Sequence, residues 1–297
     1  VKRETNQAVV FGEYEHLLGV WRVAAEPTLS SVAAIMVTPG MLHHVGPNRL
    51  HVDLAESLSS LGIASLRFDL SGIGESLGVG VGGRSIDRAA DEIRQAINWI
   101  EEHAGITQFV LFGLCSGADD SIHAALRDQR VVGVVAMDGC GYPTLLYHWY
   151  RFTRHFLPRV LRLDKWRTLW KRRRTDDGSV VTSLQPGKDV REFPTQTQAI
   201  EELKTLSSRG ALMHFVYTGG VGDYFNHAGQ FAAMFPTLKD DPRISSHFFE
   251  SMDHVALMVE DRRQLVTHVA NRMRWMAVSQ ANGNPARSTD QDATVVP

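Results

Sequence analysis

The segment Phe109-Val110-Leu111-Phe112-Gly113-Leu114-Cys115-Ser116-Gly117-Ala118 restricts the fold more than any other stretch of the chain. It reads as a buried strand, then Gly-x-Cys-x-Gly, then the start of a helix. A backbone that turns from strand to helix this sharply crowds itself, so the positions two before and two after the apex need glycine. The apex side chain is lifted above the strand edge and set at a helix N-terminus. There the backbone N–H of Ser116 can donate to an oxyanion, and the helix dipole favours a thiolate at Cys115. A lone cysteine is most often a buried, inert thiol. The glycine frame, however, centres on Cys115; a shift by one residue would point Ser116 down along the helix.

The surrounding chain alternates apolar, β-branched runs with amphipathic stretches, the pattern of a mainly parallel α/β sheet. Strands are expected at Val32–Val37, Ile63–Phe68, Phe109–Phe112, Val131–Met137, Leu212–Tyr217 and Ile244–Phe249, with helices near 48–61, 84–103, 117–127 and 255–279. In the second helix Ile86, Ala89, Ala90, Ile93, Ile97 and Ile100 recur at three and four residues, one apolar stripe facing a sheet. Segments near 7–12 and 17–24 read as an antiparallel lead-in hairpin. Two regions break the rhythm. Residues 141–205 separate strands that one helix would otherwise join, so they read as an insertion in a core of 1–140 and 206–280. Residues 281–297 lack apolar periodicity and read as a disordered tail.

Composition narrows the function classes. A net charge of −2 argues against a global polycation for nucleic acid, and no apolar run is long enough to span a membrane. Two cysteines cannot make a disulfide framework, and Val1–Asn6 lacks a signal-peptide core, so a cytoplasmic setting is expected. No histidine or carboxylate pair has a familiar metal-ligand spacing, and nothing calls for a cofactor.

Taken together, Gly113-Leu114-Cys115-Ser116-Gly117 and the loop Asp69-Leu70-Ser71-Gly72-Ile73-Gly74-Glu75-Ser76 resemble the α/β-hydrolase superfamily over roughly residues 30–140 and 206–278. The resemblance implies an eight-stranded, mostly parallel sheet flanked by helices, with a helical cap. It also implies that Thr38-Pro39-Gly40-Met41 occupies the place of the family's His-Gly, with Met41 N–H (or Leu42 N–H) as second oxyanion donor beside Ser116. The histidine of that pair is absent here. The family's base follows the last strand, where Ser251-Met252-Asp253-His254-Val255 opens the final helix, so His254 is the expected base. Its acid stands either after the strand ending at Met137, giving Asp138, or after the next strand, giving Asp223. Asp138 directly ends its strand and is favoured; Asp223 could instead cap a helix beginning near Tyr224. Asp119 and Asp120 are expected to complement the dipole of the nucleophile helix.

Between 141 and 175 lie ten Lys/Arg, one acid (Asp164) and eight aromatics. The resemblance makes this the roof of the site. Tyr142 and Trp149, with His43 and His44 after the oxyanion loop, are candidate substrate contacts, and Cys140 a packed small hydrophobe. Lys171-Arg172-Arg173-Arg174 reads as a solvated face or as a docking patch for an acyl-carrier protein or a coenzyme A phosphate. The expected activity is hydrolysis of an ester or thioester through a Cys115–His254–Asp138 triad and an acyl-Cys intermediate, similar to dienelactone hydrolase and to hydrolases of biosynthetic gene clusters. Acyl transfer or cyclisation, as in Cys-dependent Dieckmann cyclases, is the alternative. A non-catalytic binding protein on the same fold is the third reading.

Overall fold

A computed structural model of the chain describes residues 6–29, 31–40, 42–78, 83–153 and 194–281. Eight strands, β1 (Asn6–Phe11), β2 (Leu17–Arg22), β3 (Val32–Val37), β4 (Ala64–Phe68), β5 (Gln108–Leu114), β6 (Val131–Met137), β7 (Leu212–Thr218) and β8 (Ile244–Phe249), form one sheet in the order β1-β2-β4-β3-β5-β6-β7-β8. The β1–β2 and β2–β4 pairs are antiparallel, and every pair from β4 to β8 is parallel. The lead-in hairpin of the sequence reading is thus the antiparallel edge of the sheet.

The described helices are α1 (Leu50–Ser60), α2 (Ser85–Ala104), α3 (Ser116–Arg127), α4 (Leu145–Arg151), α5 (Gln196–Ser208), α6 (Gln230–Met234) and α7 (Val259–Ala281). They cover both sheet faces, which explains why strands such as β3 are buried at every position. Alternate residues serve opposite cores: Ala33, Ile35 and Val37 pack with α2, α3 and α5, whereas Val32, Ala34 and Met36 pack with α1 and α7. In α2 the stripe Ala89, Ala90, Ile93, Ile97 and Ile100 is buried, each isoleucine contributing roughly 1.5–3 kcal/mol of transfer free energy.

Three local expectations need correction. The last helix begins at Val259, not at 255, because Asp253 accepts the N–H groups of Val255 and Leu257 and Ala256 takes a left-handed φ of 46°. No helix begins near Tyr224; a short 3₁₀ turn, Gly219–Val221, precedes it and α6 starts at Gln230. The boundary drawn at 205 falls inside α5, whose Ala199, Leu203 and Leu206 belong to the main core. The rest of the expected cap, including Lys171–Arg174, Trp166 and Trp170, and the expected tail from 282 lie outside the described residues. Among the described residues no helix is long and apolar enough to cross a membrane.

Candidate active site

The parallel strands deliver their C-terminal ends to one edge of the sheet, the edge at which open α/β folds place their ligands. Cys115 stands there between β5 and α3 with φ 55° and ψ −121°, a left-handed conformation that costs a non-glycine residue of order 1 kcal/mol or more. Its N–H donates to Met137 O at 2.8 Å, tying the apex to the end of β6. The flanking glycines are sterically required. A Cβ on Gly113 would lie 2.0 Å from Gly117 O, and one on Gly117 would lie 2.7 Å from Val37 O. Cys115 is exposed, and both cysteines are free thiols.

His254 reaches this apex from the loop between β8 and α7. Its Nδ1 lies 2.8 Å from Asp138 Oδ2, and the imidazole is within electrostatic reach of Cys115. The hydrogen bond with Asp138, then the interaction with Cys115, raises the imidazole to about 10 against the opposing effect of burial. Asp138 is fully buried at the end of β6, itself at φ 47°. Thr218 N–H donates to Oδ1 at 2.7 Å and the Thr218 hydroxyl to Oδ2 at 2.6 Å. Tyr224 donates its hydroxyl to Asp138 O at 2.9 Å, and desolvation, then Asp138, holds that phenol well above its ordinary value. His254 is thus hydrogen-bonded to Asp138 and interacts with Cys115. Asp223 is not part of this set: the residue is exposed, and the Tyr147 hydroxyl donates to its carbonyl.

On the opposite side of Cys115, Gly40 N–H donates to Ser116 Oγ at 2.6 Å, which fixes the end of the β3 loop against the first residue of α3. Met41, the expected second oxyanion donor, lies outside the described residues. His44 is held by its own backbone N–H and by Nδ1 (2.9 Å) on the carboxylate of Asp69, which also takes Glu75 N–H at 3.2 Å. Gly74 is required there, since a Cβ would lie 2.2 Å from Asp69 Oδ2. The Asp-x-x-Gly-x-Gly-x-Ser loop is thus a clamp that joins the β4 loop to the β3 loop. His44 belongs to the clamp, while His43 is exposed and its Nδ1 accepts Val45 N–H.

Tyr142 packs edge-on against Phe235 and donates to Pro194 O at 2.7 Å. Trp149 is 62% exposed on α4 beside Phe152. Cys140 is partly buried, and burial followed by Asp119 pushes its thiol up to about 12, so it remains protonated. Asp119 and Asp120 are buried rather than solvated at the helix terminus, and Asp119 Oδ1 accepts Cys140 N–H at 3.1 Å. Sequence reasoning missed Thr218 and Tyr224, whose roles arise only when β7 and its loop are brought beside β6. No group of three or more His, Cys, Asp or Glu arranged for a metal occurs among the described residues.

These features define an α/β-hydrolase fold with a cysteine at the nucleophile turn. Solved structures agree on the fold: an esterase of Pyrococcus furiosus (TM-score 0.57, 14% identity, 91% of this chain and 93% of that one), a proline iminopeptidase of Mycobacterium smegmatis (0.57, 12%, 93% and 99%), and a serine hydrolase without a lid from Xanthomonas campestris (0.53, 14%, 92% and 97%). No family model matches the chain. In sequence it is 27% identical over 158 residues to the polyketide transferase grgF of Penicillium sp, a match covering 51% of this chain and 52% of that protein. The match thus spans about half the length of that curated relative.

Proposed function

We propose that this protein is an enzyme of acyl (thio)ester chemistry that works through an acyl-Cys115 intermediate. The observation that carries the reading is His254, hydrogen-bonded to buried Asp138 and interacting with Cys115, which is held at positive φ at a helix N-terminus. In the reaction, Cys115 thiolate adds to the acyl carbon and the carbonyl π electrons move to oxygen. The resulting oxyanion receives Ser116 N–H at the positive end of α3. Collapse breaks the bond to the leaving thiol or alcohol, which takes the His254 proton. An acceptor then gives its proton to His254, attacks the thioester, and releases Cys115. Asp138 fixes the imidazole tautomer through Nδ1 and favours its charged form.

Support from the relatives is coarser: the neighbours are esterases and hydrolases, and the sequence relative is named a transferase. Docking of an acyl-carrier protein or coenzyme A on Lys171–Arg174 remains part of the proposal. The test is intact-protein mass spectrometry after incubation with acyl N-acetylcysteamine thioesters. The expected result is one acyl increment that maps to Cys115 and is lost in Cys115→Ala; no increment with any donor overturns the reading.

A further inference from the structure

Two cavities flank the first turn of α3, the helix that Cys115 opens. The larger, about 250 Å³, lies between α3, α5 and the β6–β7 face; Ala136, Ala199, Leu203 and Phe215 line it, and Asp119 and Glu202 stand at its rim. The smaller, about 130 Å³, lies between α3, α2 and the β4 loop and is bounded by Gly40, Ser71, Ala89, Glu92, Ser116 and Asp120. The helix assigns one face to each. Ser116 and Asp120, four residues apart, face the small cavity; Asp119 and His123, also four apart, face the large one. Each cavity therefore begins within one helical turn of Cys115, about 6 Å of rise.

Their chemistries differ. The large cavity is walled by Ala136, Ala199, Leu203 and Phe215 on its sheet and α5 sides, room for a hydrocarbon chain. Arg84, Asp119, His123, Gln198 and Glu202 also line it. The small one is polar and touches the nucleophile's immediate neighbour, since Ser116 lines it and Gly40 N–H is bonded to Ser116 Oγ. Two buried carboxylates, Glu92 and Asp120, face it against one cation, Arg88, and Ser71 Oγ is buried without a hydrogen-bond partner among the described residues. Such a lining accepts hydrogen bonds and repels anions. A carboxylic acid fits it poorly; a small group rich in N–H or O–H fits it well.

We propose that the two cavities are the two substrate subsites of an acyl transferase: the donor's acyl chain occupies the α3–α5 cavity, and a small amine or alcohol acceptor occupies the cavity at Ser116. This rests on the acyl-Cys115 reading and deepens it. The transfer step balances without a further reagent. The acceptor's N or O forms the bond to the acyl carbon, its proton passes to His254, and the C–S bond breaks to return Cys115 thiolate.

The experiment crosses cavity variants with two readouts on the full chain. One readout is the chain-length profile of Cys115 acylation by acetyl, butyryl, hexanoyl and octanoyl N-acetylcysteamine thioesters. The other is the partition of the acyl group between water and an added acceptor, ethanolamine or propanediol. Ala199→Phe should cut octanoyl relative to acetyl acylation by about tenfold, the size of effect that small steric changes in an apolar pocket produce. Ala89→Leu should cut the transfer-to-hydrolysis ratio by about tenfold. Variants that remove atoms guard against misfolding: Ile122→Ala should extend the accepted chain, and Ser71→Ala should lower the transfer ratio. Variants that move both readouts in parallel, or neither, overturn the proposal. Acylation with water as the sole acceptor in the parent protein overturns this proposal alone, whereas no acylation at all overturns the acyl-Cys reading beneath it.

Discussion

Thr218 grips both oxygens of Asp138, its N–H on Oδ1 at 2.7 Å and its hydroxyl on Oδ2 at 2.6 Å, and Oδ2 is the atom that holds His254. The carboxylate has no access to water, so these donors replace its hydration. Thr218→Val keeps the shape of the side chain and the backbone donor but removes the hydroxyl. A hydrogen bond to a charged group is worth about 1.5–3 kcal/mol. The expected outcome is a lower melting temperature and a fall in the Cys115 acylation rate of about tenfold. Stopped-flow acylation and a thermal melt check both. An unchanged rate would show that Oδ2 orients His254 without help.

The pairing of His254 with Asp138 and Cys115 sets the direction of its pH dependence. The folded imidazole titrates near 10, above its ordinary value of 6.5, so the stabilisation it brings is fully present below 6.5 and is lost as pH rises through about 10. The acylation rate should fall across that same alkaline range, as His254 loses the proton it gives to the leaving group. Asp138→Asn removes the first-named cause and should move the alkaline limb down toward 6.5 as well as slowing the reaction. Asp223→Asn should leave the limb in place, because that carboxylate is exposed and the Tyr147 hydroxyl takes its carbonyl. A pH–rate profile of each variant checks the assignment of the acid.

What could be read from the sequence is local. Gly113 announces the tight turn at Cys115 because its steric conflict, with Gly117 O, lies within five residues, whereas a Cβ at Gly117 meets Val37 O at the end of β3, a tertiary contact. Asp138 and His254 draw notice in the sequence from their places just beyond strand ends, and the structure brings the two within 2.8 Å of each other. Thr218, Tyr224 and the burial of Asp119 draw no such notice, since each depends on which strand lies beside which. The start of α7 was misplaced for a reason visible in the structure. Val255, Leu257 and Met258 continue the apolar pattern, yet Leu257 and Met258 are exposed, and Asp253 turns the chain with side-chain hydrogen bonds in place of helical ones. His44 read as a pocket contact because nothing in the sequence pairs it with Asp69, twenty-five residues away.

That Asp69 clamp makes its own prediction. A fully buried carboxylate receives His44 N–H, His44 Nδ1 and Glu75 N–H, and so links the loop after β3 to the loop after β4. Asp69→Asn turns one acceptor oxygen into a donor facing other donors. The expected cost is about 2 kcal/mol, the scale of lost hydrogen bonds to a buried carboxylate, read as a lower urea midpoint at constant m-value. Acylation should slow as well, because the clamped His44 lies four residues beyond Gly40, whose N–H is bonded to Ser116 beside Cys115. Glu75→Ala, which preserves the backbone donor, should cost far less.

Buried histidines decide the acid limit of stability. His51 is fully buried against Phe112, and neither ring nitrogen makes a hydrogen bond of ordinary geometry among the described residues, although the His44 carbonyl stands nearby. Desolvation, then the Arg67 charge, holds it near 3, and desolvation followed by His247 does the same to His268, which shares a proton with His214 across 2.8 Å. Here the sign is opposite to that of His254. The unfolded chain takes up protons below 6.5 while the folded rings stay neutral, so stability falls as pH drops from 6.5 toward 3. At about pH 5 the loss attributable to His51 is about 2 kcal/mol. His51→Leu fills a similar volume without buried nitrogens, so it should remove that share of the acid loss and leave the protein at least as stable at neutral pH. Urea unfolding of both proteins at neutral and mildly acid pH measures the difference; equal acid losses would mean that His51 titrates in the folded state as it does in the unfolded chain.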